Sequence, residues 1–245
     1  MATHTGKVFW VTGASGALGG SVARQLAREG ARVVVSGRSV QARDFAEHAG
    51  IDAVPLDVTD DAAVQAAAAQ LVARHGRLDG VVTSTNVAAF GDFLELDDAQ
   101  WHRVIEAKLL GTVRVVRAAL PALVRQGKGG VVVITGRGGI DPPPQHFPGA
   151  SVNAALDLLV QGLGRRYGPQ GVRSNAIAPG PIVSPRYSAM EQAAPGSDKR
   201  PDVALGAPGQ PIDVAHAASY LLSDAAAFVN GSVLAVDGGG PAYRH

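Results

Sequence analysis

The sequence predicts an α/β protein on a doubly wound parallel sheet of about seven strands, with helices on both faces. Three observations carry this expectation. Short apolar runs alternate with helix-patterned segments along all 245 residues, the spacing expected of strand–helix–strand units with parallel pairing. The strand-like runs are apolar throughout rather than alternating, as in strands covered on both faces. The first of them ends in a glycine-rich turn that opens into a helix.

The elements follow in order. Residues 8–12 form a short apolar run, and residues 21–29 carry Val22, Ala23 and Leu26 at helical spacing. Residues 32–36 and 52–56 read as the second and third buried strands. Residues 61–75 are alanine-rich without Gly or Pro, the strongest helix by propensity. A fourth strand is expected at 78–83. A long helix is expected at 98–126, kinked or reset at Pro121, whose ring and missing N–H break helical bonding. A fifth strand at 130–135, a helix at 151–167, a sixth strand at 172–178, a helix at 212–223 and a last strand at 232–236 complete the pattern. No internal repeat or linker divides the chain, so residues 1–245 are expected to form one domain. Residues 184–210, with Pro185, Pro195, Pro201 and Pro208, are expected to form a mobile substrate flap.

Composition narrows the function. Hydrophobic residues make up 46% and charged residues 18%, which excludes global disorder. With 22 basic and 21 acidic residues the net charge is +1, too small a field to hold nucleic acid or an anionic membrane. Cysteine is absent, which removes disulfides, thiolate metal sites and cysteine nucleophiles. No apolar run approaches the roughly 18 residues of a membrane span. Residues 1–7 are polar and lack an apolar signal core, so a cytoplasmic protein is expected.

The turn after the first strand reads Thr12-Gly13-Ala14-Ser15-Gly16-Ala17-Leu18-Gly19. Phosphate oxygens reach backbone N–H groups only where side chains are absent, and a following helix N-terminus adds unpaired donors and partial positive charge. Placed between a strand and a helix, this is a strong dinucleotide signal.

Here the sequence resembles the single-domain branch of the short-chain dehydrogenase/reductase family, whose fold is Rossmann-like. The loop is close to that family's TGxxGxxG variant. Asp57-Val58 resembles its adenine-contacting pair, and residues 175–180 (Asn-Ala-Ile-Ala-Pro-Gly) resemble its turn beside the nicotinamide. Asn230-Gly231 and Val236-Asp237-Gly238-Gly239 match its C-terminal signature. The resemblance implies cofactor contacts from Gly13, Ser15, Gly16, Leu18, Gly19, Asp57, Val58, Pro179, Gly180 and Ile182. At the end of the second strand Gly37 stands where an NAD site carries an acid, and Arg38 follows. A guanidinium suits a 2′-phosphate by charge and forked donors, so NADP(H) is expected over NAD(H).

The family's chemistry rests on Asn, Ser, Tyr and Lys. Aligned on Asn153-Ala154-Ala155-Leu156, which resembles the family's Lys-Ala-Ala-Leu, the lysine position is Asn153, the tyrosine position Gly149 and the serine position Gly136. Lys108 takes the asparagine's place on the long helix, and Thr83-Ser84-Thr85-Asn86 stands for Asn-Asn-Ala-Gly. No register restores the set: none of Tyr167, Tyr187, Tyr220 and Tyr243 has a lysine four residues on. The candidate replacements are His146, Lys108 and Asn153, with Arg137 as a site for an anionic substrate or phosphate and Thr135 as the nearest hydroxyl. The pocket beside Gly136 and Gly149 is expected to be larger and less polar than in an active relative.

Three readings remain open: an atypical NADP(H)-dependent oxidoreductase of a small molecule; a non-redox enzyme such as a dehydratase, isomerase or cyclase; and a silent relative that binds a dinucleotide or a partner subunit. The resemblance favours the first. It also implies a homo-oligomer, tetramer or dimer, with Leu109, Val113, Val116, Val233 and Leu234 as apolar contact surface.

Overall fold

The structure, a computed structural model, describes residues 3–185 and 203–240. Seven strands form one parallel sheet: β1 (Val8–Thr12), β2 (Arg32–Gly37), β3 (Ile51–Pro55), β4 (Gly80–Thr83), β5 (Gly129–Ile134), β6 (Val172–Pro179) and β7 (Val233–Val236). Their spatial order is β3-β2-β1-β4-β5-β6-β7. The chain winds outward from β1 to β3, then returns to the other side of β1 with β4. The order therefore reverses at β1/β4, and the crevice beyond the strand C-termini there is where such sheets take ligands.

The helices are α1 (Ala17–Arg28), α2 (Asp61–His75), α3 (Asp98–Val104), α4 (Gly111–Gln126), α5 (Phe147–Tyr167) and α6 (Pro211–Leu222). One core layer joins Trp10 and Val81 to Val64 of α2, Val115 and Leu123 of α4 and Leu156 of α5. The other joins Phe9 and Val11 to Leu26 of α1 and to Val214 and Leu221 of α6. Successive β1 residues thus serve opposite layers, which is why the run is apolar without alternation.

The expected elements are present, with differences that have physical causes. The edge strands β3 and β7 are half-buried rather than buried, because each has a neighbour on one side only. α2 spans the expected residues; the Asp60 carboxylate accepts from the Ala63 N–H at 3.0 Å, and Gly76 ends the helix in the left-handed region. α1 and α5 each begin four residues before expectation, since Gly19, Gly20, Pro148 and Gly149 conceal their first turns. Of the kink or reset expected at Pro121, the reset is not there. α4 runs unbroken through it, and the irregularity is a π-helical turn, Ile105–Leu110, between α3 and α4. Residues 186–202 of the expected flap lie outside the described residues. Its C-terminal part is tied down: Gly209 bridges Ile182, and the Leu205 N–H donates to the Gly238 carbonyl at 3.1 Å. Among the described residues, no helix is long and apolar enough to cross a membrane.

Candidate functional site: a glycine cradle and a histidine beside two glycines

The turn from β1 to α1 is packed so tightly that side chains are excluded. Gly13 has φ +74°, and a Cβ there would overlap the Ser84 carbonyl at the end of β4. A Cβ on Gly19 would lie 2.5 Å from the Gly13 carbonyl oxygen. Two backbone bonds fix the loop, Ala14 N–H to Ser36 O and Ser84 N–H to Thr12 O, both 3.1 Å. α1 opens at Gly16 with no side-chain cap and no acid in its first turn. Its leading N–H groups and positive dipole end are therefore available to an anion, which suits the pyrophosphate of a dinucleotide.

The other residues assigned to the cofactor lie along the same C-terminal edge of the sheet. A Cβ on Gly37 would lie 3.1 Å from Ser15 Oγ, so the end of β2 abuts the loop. Arg38 follows it, exposed. The Asp57 carboxylate accepts the Thr59 N–H at 2.9 Å and the Thr59 hydroxyl at 2.8 Å. The Thr59 N–H bond chiefly, helped by the Thr59 hydroxyl and the Arg38 charge, holds Asp57 below the usual carboxylate range, with burial, the second-largest effect, opposing it. Val58 is buried and packs over Gly111, where a Cβ would lie 2.7 Å from Val58 Cγ2. Pro179 ends β6, the Gly180 N–H donates to Val236 O at 3.0 Å, and Ile182 is buried beside Gly209. Leu18 sits half-buried in the first turn of α1.

Beyond β5 the structure brings Lys108, Asn153 and Thr135 together. The Lys108 ammonium, 6% exposed, donates to Asn153 Oδ1 at 2.5 Å and to the Thr135 carbonyl at 3.2 Å. The exchange of residue types between the two helices is thus a direct contact: the π-turn carries the amine and α5 the amide. Thr135 is buried, its hydroxyl donating to Ile177 O at 3.1 Å. Asp157, which sequence reasoning missed, completes the cluster. It lies one turn beyond Asn153 on α5, and that i, i+4 spacing was the available signal. Burial raises its carboxyl above the usual range, opposed by the Thr135 hydroxyl and the Lys108 charge.

Gly136 and Gly149 lie above this cluster. A Cβ on Gly136 would lie 2.8 Å from Asn153 Nδ2. Gly149 is in the first turn of α5, and a Cβ there would fall on the His146 imidazole. The enlarged apolar pocket expected there is therefore not what the structure shows. The imidazole fills the space a side chain at Gly149 would take, stacked on Phe90 at 4.5 Å and 17°. Phe90 comes from the loop after β4, and the Gly91 N–H ties that loop to Gln145 O at 3.1 Å. Arg137 is not open to an anion as expected: it is paired with Asp237 and lies 3.5 Å from Asp141.

Residues 13–240 match the family described as enoyl-(acyl carrier protein) reductase. The chain is 32% identical to 2-(S)-hydroxypropyl-CoM dehydrogenase 3 of Xanthobacter autotrophicus, over 95% of this chain and 96% of that one. It is also 32% identical to the inactive 2-(S)-hydroxypropyl-CoM dehydrogenase 2 of the same organism, over 89% and 98%. A solved short-chain type dehydrogenase/reductase from Mycobacterium ulcerans superposes with a TM-score of 0.92 at 31% identity, covering 98% of this chain and 94% of that one. Dehydrogenases of this kind use nicotinamide cofactors. Sheet order, glycine cradle and full-length similarity agree: the chain belongs to the short-chain dehydrogenase/reductase family of oxidoreductases.

Proposed function

We propose that this chain is an NADP(H)-binding oxidoreductase of a small molecule in which His146 handles the proton that a tyrosine handles in its relatives. The observation that carries the reading is the place of the imidazole, on the spot where a side chain at Gly149 would project. Of the three candidate catalytic residues, Lys108 and Asn153 are buried against each other, whereas His146 is half-exposed. Imidazole is also the side chain best able to give and take a proton near neutral pH.

Gly13, Ser15, Gly16 and Gly19 would hold the pyrophosphate, and Arg38 the 2′-phosphate, with Asp57 and Val58 at the adenine. Bound there, NADP(H) supplies or accepts the hydride. His146 as imidazolium gives a proton to the carbonyl oxygen in reduction; as neutral imidazole it takes the hydroxyl proton in oxidation. Lys108 places its side-chain nitrogen next to Gly136's neighbour Thr135, and Asn153 and the Thr135 carbonyl keep it in place. Lys108 and Asn153 are thus positioning residues, one contact behind the reacting atoms. A single domain in a cytoplasmic homo-oligomer, tetramer or dimer, belongs to the same proposal.

The test is a fluorescence titration with NADPH and NADH, followed by nicotinamide absorbance over a panel of ketones and alcohols. Tighter NADPH binding and an absorbance change that His146→Ala slows about 10²–10⁴-fold are expected. Equal affinity for the two cofactors overturns the assignment to Arg38. A silent, cofactor-binding role is the second reading, favoured by the burial of Lys108 and Asn153 and by similarity to a protein named inactive. NADPH binding with no turnover would establish it, and turnover without an absorbance change would establish non-redox chemistry.

A further inference from the structure

At the opposite edge of the sheet from the glycine cradle, a cavity of about 750 Å³ opens at the N-terminal ends of the strands. β1 separates the two regions by its length, about 16 Å at ~3.3 Å per residue. Lys7 immediately precedes β1, Lys128 immediately precedes β5, and Arg173 is the second residue of β6. Three cations from distant parts of the chain therefore meet at one cavity.

Their charges are not balanced locally. Asp224 serves two ammonium groups, Lys128 at 2.9 Å and Lys7 at 3.4 Å. Arg173 donates to two backbone carbonyls, Ser223 and Val229, both at 3.2 Å, and no carboxylate among the described residues is paired with it. Asp79 also lines the cavity, but its charge is taken up by a two-bond pair with Arg77, 2.8 and 2.6 Å, and it accepts the Val8 N–H. Lys7, Lys128 and Arg173 thus share one carboxylate, Asp224, an excess of two positive charges among the described residues. Burial chiefly lowers the Arg173 guanidinium from its ordinary value, and the Asp224 charge, then Tyr220, partly offset it. Leu222 and the fully exposed Phe228 add an apolar wall.

We propose that this cavity is a second binding site, separate from the dinucleotide cradle, for a small divalent oxyanion, either a phosphate group or a short dicarboxylate. Arg173, held by the Val229 and Ser223 carbonyls, supplies a fixed guanidinium charge, and Lys7 and Lys128 supply ammonium groups that Asp224 alone shares between them. A dianion matches the excess charge, whereas a monoanion leaves one positive charge uncompensated.

The test is calorimetric titration of the full chain with inorganic phosphate, succinate and acetate at fixed ionic strength, so that screening is constant. One saturable site is expected for phosphate or succinate, with acetate about tenfold weaker or more. Lys128→Glu should weaken the dianion about tenfold or more, while Arg38→Ala leaves it unchanged. Arg173→Leu should act like Lys128→Glu; if that variant does not fold, the exposed Lys128 substitution decides alone. Tighter binding of phosphate than succinate identifies a phosphate site, and the reverse a dicarboxylate site. No saturable binding, equal affinity for acetate, or loss through Arg38→Ala rather than Lys128→Glu overturns the proposal.

Discussion

At Gly149 and Gly136 the chemistry turns on what replaces missing side chains. Restoring Tyr at 149 and Ser at 136 cannot by itself rebuild a tyrosine-based site, because the first collides with His146 and the second with the Asn153 amide. The combination Gly136→Ser, Gly149→Tyr and Asn153→Lys is therefore expected to need His146→Ala and Lys108→Asn as well before a tyrosine-dependent ketone reduction replaces the histidine-dependent one. Asn153→Lys alone should destabilise the protein by about 3 kcal/mol or more, since it places two ammonium groups in one buried cluster. The double exchange Lys108→Asn with Asn153→Lys should recover most of that loss, read from urea midpoints. Arg38→Ala should weaken NADPH by about 1.5–3 kcal/mol, the worth of hydrogen bonds to a charged group, and leave NADH nearly unchanged. At this scale the sequence shows which side chains are missing but not what fills their space. His146 is three residues from Gly149 along the chain, yet its stacking on Phe90 is a tertiary contact that no local pattern encodes.

Among the elements, the first strand is anchored by a buried histidine that sequence reading passed over. His4, with no exposed surface, packs edge-on against Phe9, and its Nε2 lies 3.0 Å from Ser219 Oγ on α6. Ser219 donates to the Glu29 carboxylate at the end of α1 at 2.5 Å, so three elements share one contact. Nδ1 of His4 is buried without a hydrogen-bond partner, so a proton added there would find no acceptor. Burial chiefly lowers the His4 pKa, and Glu29 partly offsets it. The folded state thus binds this proton less readily than the unfolded chain does. Stability should be full above the ordinary histidine value of about 6.5 and fall as pH drops below it. Thermal midpoints measured from pH 7.5 to 5 should show that fall, and His4→Leu should flatten it; an equal fall in the variant would assign the effect elsewhere. The helices and inner strands were legible because propensity and burial agree in them, as in α2. The π-turn was not, because the proline that drew attention, Pro121, is tolerated inside α4 while the irregularity arises where Gly111 packs under Val58.

On the scale of the whole molecule, the sheet order follows from the alternation of strands and helices, and it places the cradle at the β1/β4 switch point. The expected oligomer surface needs one revision. Val116, 2% exposed, contributes little area of its own and sits in the floor of a groove beside Leu120. The outer face of α4 and α5 presents this groove, of about 470 Å³, lined by Val113, Leu120, Leu159, Leu163 and Tyr167. Leu163→Glu should shift the light-scattering mass from an oligomer toward the 25.0 kDa monomer; an unchanged oligomer would place the interface on another face.

The central claim, redox chemistry with His146 as the proton-handling group, is tested most directly by single-turnover nicotinamide absorbance. NADPH is pre-bound to the wild-type chain and to His146→Ala, and each is mixed with a panel of small ketones. NADPH absorbance should fall with at least one ketone in the wild-type protein, at a rate about 10²–10⁴ lower in His146→Ala at equal NADPH occupancy. Absorbance unchanged across the panel despite full occupancy, or equal rates in the two proteins, would contradict it.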